Sequence, residues 1–144
     1  MLVYRIEQKE TKDGLFQVSN LYNVLPISII HLYIENVYDI ICENNNHPDD
    51  EAYLISRFHS YSTFMNMFNG KFGCKSIEQL LTFWCIDKNK NKCSNLFFET
   101  LHKCNFVLST YKVSQYIALQ TQIVYNSENA VLIAEESILE MLKC

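Results

Sequence analysis

His47, Asp49 and Asp50 are the residues whose types and spacing could hold a metal ion or transfer a proton. Imidazole nitrogens and carboxylate oxygens serve as metal ligands and as general acids or bases. The same residues also fit a turn that leads into a helix, because aspartates at a helix start cap its free N–H groups and favour its dipole. The sequence favours the turn and cap, and the metal site stays open as an alternative hypothesis.

The chain carries no common catalytic signature. It lacks the GxSxG nucleophile elbow, the HExxH zinc helix, the GxGxxG dinucleotide loop and the P-loop. With three glycines in 144 residues, a glycine-rich phosphate cradle is excluded. The sequence therefore predicts no cofactor. It favours a non-enzymatic protein, and an enzyme stays open as an alternative.

Composition and charge exclude several classes of protein. The net charge of −4 argues against direct binding of nucleic acid through a basic patch. Polar residues interrupt the longest apolar stretch, 24–42, so a membrane span is not expected. The six cysteines match neither a zinc motif nor a small disulfide scaffold, and no secretory signal begins the chain. We therefore predict reduced thiols and a cytoplasmic location.

Strand patterns lie at both ends of the chain and helical patterns in the middle. The length fits a single domain, 1–144. Residues 2–8, 106–113, 122–125 and 130–135 have strand character, and the last two are predicted to form a hairpin through the turn 126–129. This order predicts an α+β fold in which a mostly antiparallel sheet, built from the N- and C-terminal strands, is covered by the central helices.

The clearest local unit is 71–84, a short strand or turn followed by a capped helix. Ser76 is a favourable N-cap and Gln79 stands three residues later, where a capping-box partner belongs. Ser94 is expected to cap a further helix, and Asn105 is expected to end it in the left-handed conformation.

The helices before this unit are rich in aromatic residues. Amphipathic aromatic and methionine side chains suit both a core and a contact surface. The aromatic stripe is more often core, and the alternative is a contact surface with these candidates for partner binding: Tyr33, Tyr38, Tyr61, Phe64 and Met67.

The order of the motifs resembles a family of small phage and prophage proteins. The shared layout consists of VYRIE at 3–7, His47-Pro48, the FGCKSIEQLLTFW unit at 72–84, and QTQIVY at 120–125. The resemblance covers most of the chain. Relative to this layout, a helix around 26–43 is an insertion, and Asn105 replaces the usual glycine.

The layout is also similar to a compact ADP-ribosyltransferase-like domain. That resemblance implies an opening strand with an aromatic–basic pair, here Tyr4 and Arg5, and a closing strand with an acidic catalytic residue. Gln122 stands where the acid is expected. An amide does not stabilise an oxocarbenium-like transition state as a carboxylate does, so classical transferase activity is doubtful.

Two functional hypotheses follow. The first is a phage-encoded accessory protein that binds and inhibits a host protein, such as a CRISPR–Cas effector or another defence component. The second is an ADP-ribosyltransferase-like enzyme or nucleotide-binding domain that uses Tyr4, Arg5 and Gln122.

Overall fold

The computed structural model describes residues 1–12, 66–83, 92–119 and 122–140. These residues form two three-stranded antiparallel sheets and two helices. The elements in chain order are β1 Leu2–Gln8, β2 Gly70–Gly73, α1 Ile77–Phe83, α2 Lys92–Lys103, β3 Phe106–Lys112, β4 Tyr116–Ala118, β5 Ile123–Asn126 and β6 Val131–Ser137. The α+β prediction, with a mostly antiparallel sheet, is confirmed.

The first sheet has the order β1–β3–β6, so the N-terminal strand pairs with C-terminal strands as the sequence predicts. The register sets Leu2 opposite Lys112 and Gln8 opposite Phe106. The ladder between β3 and β6 shifts register between Thr110 and Tyr111. Because Thr110 pairs with Ala134 and Tyr111 pairs with Leu132, Ile133 is the extra residue of a bulge.

The second sheet has the order β2–β5–β4. It joins the first sheet at one isolated bridge, where the backbones of Tyr4 and Cys74 exchange two hydrogen bonds of 2.8 Å. The joined order is thus β4–β5–β2 followed by β1–β3–β6.

The sequence-based hairpin between 122–125 and 130–135 is wrong. The turn itself is present, since the Asn126 side chain accepts hydrogen bonds from the backbone N–H groups of Glu128 and Asn129. The strands that it connects belong to different sheets, because β6 pairs with β3.

Both faces of the first sheet carry buried apolar side chains, with Val3 on one face and Ile6 on the other. Ile6, Phe106 and Leu108 share that face through the register, and each is at most 4% exposed. Helix α1 contacts β1, and helix α2 contacts β3. The helices supply buried side chains to the core: Leu80, Phe98 and Leu101.

The capped helix forms as the sequence predicts. The Ser76 hydroxyl accepts a hydrogen bond from the Gln79 N–H at 3.0 Å, and the Gln79 side chain accepts one from the Lys75 N–H at 2.7 Å. Asn105 has a φ of 65°, which confirms the left-handed residue. Helix α2, however, begins at Lys92, so Ser94 lies inside the helix and does not cap it.

Loss of the Ser76 cap has a measurable cost. We expect Ser76→Ala to lower the free energy of unfolding by about 1 kcal/mol, because one helix N–H then lacks its acceptor. Urea unfolding followed by circular dichroism measures this change. Ser76→Asp, which keeps an acceptor oxygen, should stay close to the wild type, and an equal loss in both variants would contradict the capping role.

Candidate functional site

A buried polar cluster occupies the face of β1 and β3 that meets the second sheet. Successive side chains of a strand alternate between faces, so Val3, Arg5 and Glu7 point the same way. The Arg5 Nε atom lies 2.9 Å from Glu7 Oε2. The Arg5 side chain is 10% exposed and the Glu7 side chain is fully buried. The two residues form an ion pair in the interior.

Each end of this ion pair has a further partner. Arg5 Nη1 donates a hydrogen bond of 2.7 Å to the backbone carbonyl of Phe72 in β2. The Tyr111 hydroxyl donates a hydrogen bond to the second carboxylate oxygen of Glu7. Buried charges require such partners, because an unpaired charge in the interior is costly. The pair therefore ties β1 both to β3 and to the second sheet.

An aromatic wall stands beside the ion pair. The rings of Tyr111 and Tyr125 lie 5.9 Å apart between centroids, with a tilt of 30°. Burial, followed by the hydrogen bond to Glu7, raises the pKa of Tyr111 above its ordinary range. Burial raises the pKa of Tyr125 to about 12. Both phenols therefore stay protonated throughout the physiological pH range.

These phenols predict a loss of stability in strong alkali. A group whose pKa is higher in the folded state contributes stability that is present below its unfolded pKa and lost as the pH rises through the folded value. For Tyr125 this window runs from about 10 to about 12. We expect the free energy of unfolding to fall across it, and Tyr125→Phe to reduce the slope. If the free energy of unfolding falls with pH at the same slope in the variant, Tyr125 does not contribute to the loss of stability in alkali.

Two buried polar side chains, one on β3 beside the ion pair and one just before β5, each carry an atom without a described partner. The Ser109 hydroxyl and the Gln122 side-chain nitrogen are buried and have no hydrogen-bond partner within the described part of the chain. Ser109 stands directly opposite Arg5 in the register, and Gln122 immediately precedes β5. Orphaned polar atoms in an interior are uncommon, and each has a hydrogen bond to offer.

The segment after β1 closes one side of the cluster. Lys12 forms an ion pair with Glu135 of β6, which stands opposite Ser109. The Lys12 carbonyl accepts a hydrogen bond of 3.4 Å from the Lys71 ammonium group of β2. The hydrogen bond from Lys12 is the main reason that the pKa of Glu135 is lowered. The rim of the cluster is charged and its centre is a neutral ion pair.

This arrangement is better suited to holding elements together than to acid–base chemistry. Both carboxylate oxygens of Glu7 already accept hydrogen bonds from Arg5 and Tyr111. No group of three or more metal-ligating side chains occurs within the described ranges. Cys74 and Cys104 form no disulfide among the described residues, and burial raises the pKa of Cys74 to about 12, so the Cys74 thiol is a small apolar group of the core.

The residues of the ADP-ribosyltransferase-like hypothesis are placed as follows. Tyr4 and Arg5 are consecutive in β1, so they point to opposite faces of the sheet. Arg5 lies in the polar cluster with Glu7. The backbone of Tyr4 pairs with Cys74, and Gln122 is the residue before Ile123, the partner of Gly73. The backbones of all three thus lie near the junction of the two sheets.

Of the candidate partner-binding residues, Met67 lies in the described part of the chain. It is 81% exposed, while its neighbour Phe68 packs against Val124. The other candidates and the metal-site residues lie outside the described residues: Tyr33, Tyr38, Tyr61, Phe64, His47, Asp49 and Asp50. The inserted helix around 26–43 also lies outside them.

Sequence reasoning missed three members of the cluster, namely Glu7, Ser109 and Tyr111. The alternation in VYRIE does set Arg5 and Glu7 on one face, two residues apart, which is the signal for an ion pair within one strand. Ser109 and Tyr111 come from β3, more than 100 residues away, and only the register brings them to Arg5 and Glu7.

A family model described as the bacteriophage T4 Y00F protein matches residues 1–139. The chain belongs to this phage protein family. The match runs from β1 to beyond β6, so it includes both sheets and every member of the polar cluster. This match confirms the predicted resemblance to phage proteins. The family indicates a phage-encoded accessory protein.

No curated protein and no solved structure matches the chain. In the described ranges, none of the helices has the length and apolar character required to cross a membrane.

Proposed function

We propose that this phage-family protein binds a protein of the bacterial host and inhibits it, with a defence component such as a CRISPR–Cas effector as the target. The observation that carries the proposal is a run of three exposed apolar side chains in β6. Val131 is 60% exposed, Leu132 is 38% exposed and Ile133 is 52% exposed. Scattered apolar residues are normal on a surface, whereas an exposed apolar edge strand is a template for pairing with another chain.

Two further features support a binding role. Met67 is exposed, and unbranched methionine side chains adapt to the shape of a partner. The carboxylate and the guanidinium at the centre of the polar cluster are engaged in a mutual ion pair, so the described residues favour an interaction protein over an enzyme.

The first experiment is capture from host lysate with the tagged full-length protein. We compare the wild type with Ile133→Lys and with Glu10→Lys, which places a lysine at another exposed position. A host protein retained by the wild type and by Glu10→Lys, and lost from Ile133→Lys, supports the proposal. Capture of no specific protein, or of the same set by all three, contradicts it.

The second experiment tests inhibition of a defence system. Cells that express the protein are challenged with phage in a host that carries the system and in a matched host from which it is deleted. Higher plating efficiency in the first host alone supports the proposal. An equal effect in both hosts, or none, rules out a defence component as the target.

A second candidate function is the ADP-ribosyltransferase-like binding of a nicotinamide nucleotide. Its support is the buried, unpartnered amide nitrogen of Gln122 near the junction of the sheets. Saturation-transfer NMR with NAD tests it on the wild type and on Arg5→Lys. Transfer to the nicotinamide ring that disappears in the variant favours this function, and absence of transfer to the wild type ends it.

A further inference from the structure

We propose that the outer edge of β6 binds an extended, positively charged segment of the partner by strand addition. The inference rests on the proposed function and assigns its binding mode and the chemistry of its partner. The partner segment would carry alternating apolar residues and one lysine or arginine, and its backbone would pair with the β6 backbone.

The geometry of β6 is that of an edge. Within the described part of the chain, β6 pairs with β3 and with no other strand. The outer N–H and C=O groups of an edge strand are available to a further strand, and backbone pairing at such an edge is a recurrent way to bind peptides. The exposed side chain of Ile133, directly before Ala134–Ser137, would contact an apolar side chain of the added strand.

The charge at this edge selects a basic partner. Glu135 and Glu136 follow the apolar run after one residue, Ala134, and both are exposed. Lys12 neutralises Glu135. Among the described residues, none forms an ion pair with Glu136. One uncompensated negative charge therefore stands beside the apolar residues, and a cation directly opposite it would gain a favourable cross-strand pair.

A second copy of the chain fits this edge less well. If two β6 strands paired antiparallel about Ile133, Glu136 would stand opposite Ala130. Pairing about Ala134 would set it opposite Leu132. Pairing about Leu132 would set it opposite Glu128, and two carboxylates opposite each other repel. Each register leaves Glu136 against an apolar residue or a like charge, so a basic segment of another protein is the better occupant.

The bulge at Ile133 limits where the new strand can pair. A bulge twists and bends its strand, and natural edges use bulges and charges to prevent indiscriminate pairing. The stretch from Ala134 to Ser137 keeps regular register with β3. We therefore place the added backbone along this regular stretch, which contains Glu136.

The test uses two labelled peptides and the full-length protein. Each peptide has seven residues that alternate valine and threonine, with a central lysine in one and a central glutamate in the other. Fluorescence anisotropy gives their affinities. We expect the lysine peptide to bind about fivefold more tightly, as expected for exchanging a like-charge pair for an opposite-charge pair across strands.

Two variants make the test specific to Glu136. Glu136→Lys should reverse the preference, so that the glutamate peptide binds more tightly. Glu128→Lys makes the same charge change in the exposed turn before β6 and should leave the preference unchanged. If neither peptide binds, or if both variants act alike, strand addition at Glu136 is overturned.

The remaining outcomes separate this inference from the proposed function. A host protein that binds the wild type and Glu136→Lys equally overturns the basic-strand inference and leaves the proposed function standing. Peptide discrimination without capture of any host protein supports the inference and contradicts the proposed function. A dimer in sedimentation that Ile133→Lys abolishes would assign the edge to a second copy and overturn the inference.

Discussion

Glu7→Leu is expected to lower the free energy of unfolding by about 3–5 kcal/mol, the cost of removing one partner of a buried ion pair. The substitution leaves the Arg5 guanidinium 10% exposed and without a counter-charge. It also removes the acceptor of the Tyr111 hydroxyl. Since a domain is stable by only about 5–15 kcal/mol, this single change would unfold a large share of the molecules near physiological temperature.

Replacing Arg5, Glu7 and Tyr111 together by apolar residues should lower the free energy of unfolding far less than removing Glu7 alone. The triple variant Arg5→Met, Glu7→Leu and Tyr111→Phe removes both charges of the ion pair together with the side-chain donors of Arg5 and Tyr111. Apolar replacement of a buried pair is often close to neutral. The hydrogen bond from Arg5 to the Phe72 carbonyl is lost, which leaves a cost of about 1–3 kcal/mol. We therefore expect the triple variant to be more stable than Glu7→Leu.

Urea unfolding followed by circular dichroism gives both values, with Glu10→Leu as the control for adding an exposed leucine. A free energy of unfolding for Glu7→Leu within about 1 kcal/mol of the wild-type value would contradict this prediction. It would mean that Arg5 is solvated by water or binds another partner at no cost in stability. A triple variant that is less stable than Glu7→Leu would show that the cluster stabilises the fold by more than its charge balance.

The same variants separate structure from function. The exposed run Val131–Ile133 does not depend on the ion pair for its own hydrogen bonds. If the triple variant folds and still binds its host partner, the cluster serves to join the sheets. If it folds and loses NAD-dependent signals that the wild type shows, the cluster is a ligand site. The two proposed functions therefore predict different results for the folded triple variant: retained binding of the host partner, or loss of the NAD-dependent signals.

Local patterns predicted the local structure. Alternation located β1 with its bounds Leu2–Gln8, because a strand with one polar-charged and one apolar face is readable from its own residues. The Ser76–Gln79 cap and the left-handed Asn105 also depend on neighbours in sequence. These features need no information from distant parts of the chain.

Local patterns did not predict which strands pair when the strands are far apart in the sequence. The Asn126–Asn129 turn has the hydrogen bonds expected of a turn, yet β5 and β6 pair with strands of different sheets. A turn fixes the direction of the chain, while burial against distant strands decides the pairing. Strand β4 was missed because three residues, two of them exposed, show too little alternation to be recognised.

The candidate site has the same limit. Arg5 was a predicted site residue, and its environment could not be assigned because the alternation gives the face of a side chain but not what covers it. The Tyr111 hydroxyl and the Phe72 carbonyl, which define that environment, are 104 and 67 residues away from their partners.

Gly73→Ala is expected to destabilise the protein by about 1–3 kcal/mol, the usual cost of adding a methyl group to a packed interior. Glycine is required here for space. A Cβ atom at this position would lie 2.3 Å from Val3 Cγ1, 3.2 Å from the Tyr4 carbonyl oxygen and 3.4 Å from the Tyr125 ring. Val3 is β-branched and fully buried, so its methyl group has little freedom to move aside.

A compensating substitution identifies the clash. Val3→Ala removes the methyl group that the new Cβ would meet, so the two changes should offset each other in part. We expect the double variant to be more stable than the sum of the two single losses predicts, with a coupling of about 1 kcal/mol between residues in contact. If the losses in free energy of unfolding of the two single variants simply add, the backbones of β1 and β2 move apart instead. The methyl group added at position 73 then does not clash with Val3.

The position of Gly73 makes this substitution a test of the site as well. The residue before it, Phe72, provides the carbonyl that Arg5 binds, and the residue after it, Cys74, forms the bridge to Tyr4. If Gly73→Ala separates β2 from β1, the Arg5 guanidinium loses its hydrogen bond to Phe72 and keeps the one to Glu7. We therefore expect the Arg5 Nη–H signals in the NMR spectrum to exchange faster with water in Gly73→Ala and to recover in the double variant. Unchanged exchange in a destabilised Gly73→Ala protein would show that the strain is confined to Val3 and Tyr125, and that the Arg5–Glu7 pair is positioned by β1 and β3 alone.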